Sequence, residues 1–182
     1  MQYIIIIIII LLVIWVMAAY NGFVKGKNLV KEAWSGIDVQ LKRRYDLIPN
    51  LIETVKGYAG HEKKLFEDIA NLRSQSMKSD NVKEKSEAES QLTGTLRTLF
   101  AVAESYPQIK SNENFMELQK SLERIEEEMQ LARRYYNGTV RNFNTNIETF
   151  PNVLISSAFG FKKYDFFEVE DAAERKVPEV KF

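Results

Sequence analysis

The sequence predicts an all-α protein, with an N-terminal transmembrane helix leading into an elongated antiparallel four-helix bundle and an aromatic-rich C-terminal tail. Three observations predict it. An uncharged apolar run opens the chain, apolar residues recur at steps of three and four through most of the remainder, and helix breakers are scarce, with eight Gly and four Pro in 182 residues. The expected organisation is an anchor over 1–24 (span about 3–22), a bundle over 25–149, and a tail over 150–182 that packs on the bundle end or lies near the membrane.

The anchor comes first. The first charged side chain is Lys25, so all 50 charges, 25 of each sign, lie in the last 158 residues. Ile4 to Tyr20 gives 17 residues without a charge, near the lower limit for a hydrocarbon core roughly 30 Å thick. Tyr3 and Asn21–Val24 extend it to a comfortable span. Each central Ile, Leu or Val contributes roughly −0.3 to −0.6 kcal/mol to insertion, and a dozen together on the order of −5 kcal/mol. A buried core helix and a cleaved signal peptide are the competing readings. Seven consecutive isoleucines leave no polar face for the first. Val16-Met17-Ala18-Ala19 loosely fits a cleavage site, but the basic n-region is missing and the apolar run is too long. An uncleaved anchor is therefore expected. Lys25, Lys27 and Lys31 follow the span, with only the terminal amine ahead of it, so the positive-inside bias puts the N-terminus outside and the body in the cytoplasm. An extracytoplasmic body is the alternative. Trp15 and Tyr20 stand where an interfacial aromatic belt belongs.

The helices follow in order. Val30, Trp34, Ile37, Leu41, Tyr45, Ile48, Ile52, Val55 and Ala59 form one stripe, with a kink or break expected at Pro49 and a stop at Gly57 and Gly60. A second helix is expected from His61 to about Met77, burying Leu65, Ile69, Leu72 and Ser76 or Met77. Lys78–Glu89 reads as a charged, serine-rich connection with turn and N-cap chemistry at Ser79-Asp80-Asn81. A third helix then runs to about Tyr106 on Leu92, Leu96, Leu99 and Ala103, and Pro107 ends it. The chain restarts at Ser111–Asn114. The fourth helix carries a near-heptad seam: Phe115, Leu118, Leu122, Ile125, Met129, Ala132, Tyr136, Thr139, Phe143 and Ile147. The seam keeps phase across Asn137-Gly138, so a continuous helix is expected despite a cost of about 1 kcal/mol for glycine. At 1.5 Å per residue the first and fourth helices match in length, and the fourth runs back toward the membrane. The tail residues Phe150, Leu154, Phe159 and Phe161, with Lys162-Lys163 after them, are then membrane-proximal, either capping the bundle core or touching lipid.

Chemistry is sparse. The absence of cysteine excludes disulfides, thiol nucleophiles and thiolate zinc sites, and a lone His61 removes most hydrolytic triads. Balanced charge argues against nucleic acid, which demands an excess of Lys and Arg. Glycine-rich phosphate loops and the zinc-protease and serine–lysine motifs are all missing from the sequence. Glu126-Glu127-Glu128 reads as a solvated face, since consecutive helical residues diverge. Arg43-Arg44 and Arg133-Arg134 read chiefly as helix-flank ion pairs, with phosphate or headgroup contact as the sharper alternative. No catalytic residue, metal ligand or cofactor is expected.

Ala33-Trp34-Ser35-Gly36-Ile37-Asp38-Val39-Gln40-Leu41-Lys42-Arg43-Arg44-Tyr45-Asp46-Leu47-Ile48-Pro49-Asn50, continuing to Tyr58, form a distinctive run, and with them go Ala103-Glu104-Ser105-Tyr106-Pro107; Asn112-Glu113-Asn114-Phe115 with Leu118-Gln119; Ala132-Arg133-Arg134-Tyr135-Tyr136-Asn137; Phe150-Pro151-Asn152; Gly160-Phe161; and Val177-Pro178-Glu179-Val180-Lys181-Phe182. Together these segments resemble the LemA family of bacterial membrane proteins. The resemblance covers nearly the whole chain. It implies a single N-terminal span, an antiparallel helical body in the cytoplasm, and no catalytic residues; some members are linked to organelle-like membrane compartments in bacteria.

The functional expectation is a non-catalytic membrane-anchored scaffold whose partners are the lipid bilayer and either a second copy or another membrane protein. Asp38, Arg43, Arg44, Asp46, Pro49 and Asn50 are the candidate interaction residues, because a polar, kinked helix surface is costly to keep unless it meets something. Intramolecular ion pairs are the competing explanation. An enzyme using carboxylates such as Glu53 or Glu104 is the other class considered.

Overall fold

The structure, a computed structural model, describes residues 1–168. Among them every regular element is helical: α1 (Gln2–Lys56), α2 (Lys63–Lys78), α3 (Val82–Glu104), α4 (Pro107–Lys110), α5 (Glu113–Glu148) and α6 (Asn152–Ala158). The chain is all-α. The ending Val177–Phe182, part of the family resemblance, lies outside the described residues.

Helix α1 is long and apolar enough to cross a membrane, and none of the side chains in its most apolar stretch is buried by the rest of the protein. Ile4 to Ile14 are all exposed. Leaving so many isoleucines and leucines in water would forfeit roughly 1.5–3 kcal/mol apiece, so the segment demands an apolar surrounding from outside the chain. The helix continues through Pro49 without a break. The break expected there does not occur, because a side chain from α2 replaces the bond that proline removes, as described below.

Two compact units divide the described chain, residues 1–39 with 130–166, and residues 40–129 with 167–168. In the first, the early part of α1 pairs with the late part of α5. Gly26 faces Phe143, where an added Cβ would lie 2.9 Å from the ring, and Trp34 meets Tyr136 edge-on at 5.3 Å. The partners run in opposite directions along the two helices. Phe23, Val30, Ala33, Ile37, Tyr136, Val140, Phe143 and Ile147 form the core. Helix α5 passes through Asn137-Gly138 unbroken, as the seam requires.

In the second unit, α2 and α3 pack as a hairpin across a three-residue turn. The side chain of Asn81 accepts from the Lys83 amide at 2.8 Å, capping α3. The charged stretch Val82–Glu89, expected as connection, is therefore the first two turns of α3, and Ser86, Ala88 and Glu89 are buried. Its charges suggested solvent, but Ser86 and Glu89 lie one turn apart on an inward side and the small Ala88 is buried beside them. Similarly, Phe66 joins Ile69 in the α2 core, whereas Leu65 and Leu72 are half-buried and Met77 is exposed. Leu51, not Ile52, continues the buried stripe of α1. Pro107 both ends the approach from α3 and opens the short α4, whose Ile109 is fully buried. Asn112 then caps α5 through its side chain, accepting from the Phe115 amide at 3.0 Å.

Candidate functional site

The second unit holds a buried polar cluster built from all four of its long helical stretches. Arg44 and Tyr45 come from α1, Ser76 from α2, Glu89 and Thr93 from α3, and Glu126 from α5. Arg44 is 1% exposed and Glu89 0%. The guanidinium donates to Glu89 Oε2 at 3.1 Å and to Thr93 Oγ1 at 2.9 Å, and pairs with Glu126 Oε1 at 3.0 Å. The other carboxylate oxygen, Glu89 Oε1, accepts from Tyr45 Oη at 2.6 Å and Ser76 Oγ at 2.5 Å. Two hydroxyl hydrogens serve both bonds, so the carboxylate also holds the two hydroxyl oxygens side by side, 2.6 Å apart. Burial first, and then the Glu89 charge beside the hydroxyl, push the Tyr45 phenol well above the ordinary tyrosine range.

Pro49 belongs to the same construction. Lacking an amide hydrogen, it cannot bond the Tyr45 carbonyl one turn earlier. Arg73 of α2 donates its Nε hydrogen to that carbonyl at 2.8 Å. A helix interior thus tolerates a proline because a neighbouring side chain satisfies the acceptor it orphaned.

The structure separates the residues singled out from sequence. Arg44 is not on a surface, because its length carries the charge inward to Glu89. Arg43 is half-exposed and donates to Glu128 Oε2 at 2.6 Å, across from α1 to α5. Lys42 pairs with Asp46 at 3.4 Å on the exposed helix flank, and Asp38, Pro49 and Asn50 are exposed. Glu126 and Glu128 are ion-pair partners rather than a purely solvated face. Reading the sequence missed Glu89, Ser76 as a polar contact, and Arg73. A buried Glu among charged neighbours leaves no periodicity signal. Glu53 is exposed and pairs with Lys56, and Glu104 is exposed as well. Among the described residues there is no cluster of three or more acidic or histidine side chains placed to hold a metal ion.

The first unit carries a different feature, the tail folded back on α1 and α5. Gly160 has φ +72, a left-handed conformation open to glycine, and ends α6 with paired bonds from Gly160 to the Ser157 carbonyl at 3.3 Å and from Phe161 to Ser156 at 2.9 Å. That turn aims Phe159 and Phe161 at α1: Tyr20 lies 5.0 Å from Phe159 and 5.8 Å from Phe161, and Phe23 lies 5.2 Å from Phe161. Asn144 then clasps Tyr164 from both sides, donating to its carbonyl at 2.9 Å and accepting from its amide at 3.0 Å. Tyr136 donates to the Asp165 carbonyl at 3.0 Å. Its own phenol is pushed up to about 12 by burial, with the charges of Asp165 and Tyr164 adding to it. Burial raises Tyr164 also. Ile155 and Ser156 face inward while Phe150, Leu154 and Phe159 remain exposed, so the same short helix packs on the body and shows an apolar edge. Trp15 and Tyr20 are partly exposed on α1. Beside the aromatic cluster, Lys27, Lys31, Lys162 and Lys163 line a cleft of about 620 Å³.

Fold and sites together define an all-α protein with one helix fit to cross a bilayer and a polar cluster sealed inside its helical body. The family model of the LemA family matches residues 33–182. The chain belongs to the LemA family. Among curated relatives, it is 22% identical to Magnetosome protein MamQ 2 of Paramagnetospirillum magneticum and 21% identical to Magnetosome protein MamQ of Magnetospirillum gryphiswaldense. Both alignments cover 87% of this chain and 68% of the relative. It is 26% identical to Protein LemA of Metamycoplasma hominis over 83% of this chain and 69% of that one.

Proposed function

We propose that the protein is a non-catalytic membrane-anchored scaffold, held by α1 with its N-terminus outside and its helical body on the cytoplasmic side, where it docks a second copy of itself or another membrane protein. The observation that carries this reading is the bare apolar start of α1, which only lipid can cover at an acceptable cost. Lys25, Lys27 and Lys31 directly after it favour the cytoplasmic orientation. The buried cluster supports a structural role: Glu89 and Ser76 are fully buried, and their polar atoms are spent on one another and on Arg44 and Tyr45. A buried ion pair that contributes little net stability still fixes which helices meet and in what register, and a docking platform needs that uniqueness. The names of the relatives refer to a family and to the magnetosome rather than to a reaction. Within the second unit the docking residues on this reading are Asp46, Pro49 and Asn50, with half-exposed Arg43; Arg44 serves the interior.

Protease added to intact cells, and then to opened ones, tests the orientation. Fragments from the body are expected only after opening, and digestion of the body on intact cells would reverse the topology. Sizing the full chain in mild detergent tests the scaffold. A strictly monomeric species that retains no membrane partner would contradict it.

A further inference from the structure

We infer that the basic, aromatic cleft beside the end of the apolar span binds the phosphate headgroup of an anionic phospholipid. The inference rests on the membrane-anchored reading and gives that anchor a lipid preference. Three observations carry it.

The first is depth. Lys27 follows Tyr20 by seven residues on one continuous helix, about 10 Å along the axis. The headgroup layer on one side of a bilayer is roughly 5–8 Å thick, so a lysine at that distance reaches the phosphates with its flexible stem. The second is charge. Residues 1–39 and 130–166 hold eight Lys or Arg against four Asp or Glu, a net charge of +4 in a chain whose total is zero. Lys163 is engaged by Glu148. Lys27, Lys31 and Lys162 form no ion pair among the described residues, although they converge on one cleft from two separate segments of chain. Unneutralised like charges repel one another, and the sequence brings them together only by folding the tail back. The third is the wall. Tyr20, Phe159 and Phe161 meet tilted and edge-to-face at its membrane end, offering an apolar wall to glycerol and the first acyl methylenes below a bound phosphate. A free anion would have no use for that face.

The test uses the full chain reconstituted in vesicles of phosphatidylcholine with a minority of phosphatidylglycerol, and spin-labelled versions of each lipid to report the motionally restricted fraction. Phosphatidylglycerol is expected to be favoured over phosphatidylcholine by on the order of tenfold. A variant combining Lys27→Gln, Lys31→Gln and Lys162→Gln is expected to lose most of that preference, while one combining Lys63→Gln, Lys64→Gln and Lys78→Gln, all exposed on α2, retains it. Equal restriction of the two lipids by a carbonate-resistant protein would overturn the lipid site and leave the anchor intact. Failure of the chain to insert at all would overturn the anchor, and the site with it. A preference surviving the cleft variant would place it elsewhere, and displacement of the lipid by millimolar inorganic phosphate would make this an anion site without lipid selectivity.

Discussion

At the scale of single residues, Arg44 and Glu89 matter most because each is buried with the other as its counter-charge. Removing Glu89 leaves the buried Arg44 with only the partly exposed Glu126 as counter-charge and strips the Tyr45 and Ser76 hydroxyls of their acceptor, so Glu89→Ala is expected to lower unfolding free energy by about 3 kcal/mol in denaturant titrations of the detergent-solubilised chain. Arg44→Met combined with Glu89→Leu is expected to cost clearly less than the sum of the single changes, since both charges leave together. Additive losses would show that the two side chains act independently. Tyr136 makes a gentler test. Its folded pKa lies above the unfolded value of about 10, so its contribution is complete below that pH and is lost as pH rises toward about 12. Tyr136→Phe is expected to cost about 1 kcal/mol at neutral pH, from the lost bond to Asp165, and to make the alkaline loss of stability shallower. An unchanged alkaline edge would remove Tyr136 from its cause. Tyr45 and Tyr136 were readable in sequence as apolar-stripe residues. Arg44 was read as a surface charge, for ion pairing or for docking, because a periodic pattern records where apolar residues fall and is silent about a long cation that turns inward.

At the scale of elements, the exchange between Pro49 and Arg73 is directly testable. Arg73→Ala leaves the Tyr45 carbonyl without its donor and is expected to cost about 1–3 kcal/mol. Pro49→Ala supplies a helical amide hydrogen to the same carbonyl, so in that background the Arg73→Ala cost is expected to shrink by about 1 kcal/mol or more in a double-mutant cycle. A coupling of zero would mean the two residues act separately. The turn after α6 gives a second test. Gly160→Ala forces a side chain into the left-handed region and is expected to cost about 1–2 kcal/mol, loosening the Phe159 and Phe161 contacts to Tyr20. Helix α5 was legible because its apolar steps persist over many turns, even through an Asn-Gly pair, whereas in α1 a kink or break was expected at Pro49, because the Arg73 donor that replaces the lost bond comes from a different helix. The start of α3 was not, because Val82–Glu89 is rich in charge and serine, and only its N-cap, Asn81, marked a beginning. Helix α4, at four residues, is too short to display any period.

At the scale of the whole molecule, the sequence was most informative where its pattern was least like that of a water-soluble protein. An uncharged opening of isoleucines, exposed along its length in the structure, forms a helix long and apolar enough to cross a membrane. The LemA family assignment agrees with an all-helical chain, and the family resemblance was legible in motifs scattered from Ala33 to the tail. The basic cleft was not legible as a unit, because Lys27 and Lys162 are separated by more than a hundred residues and only the folded-back tail joins them. The most direct measurement is alkaline carbonate extraction of membranes from cells making the full chain, followed by intact-mass analysis of what remains in the pellet. The chain is expected in the pellet with its opening isoleucines still attached. Release into the carbonate supernatant, or a mature protein beginning near Ala19, would contradict an anchor in the bilayer.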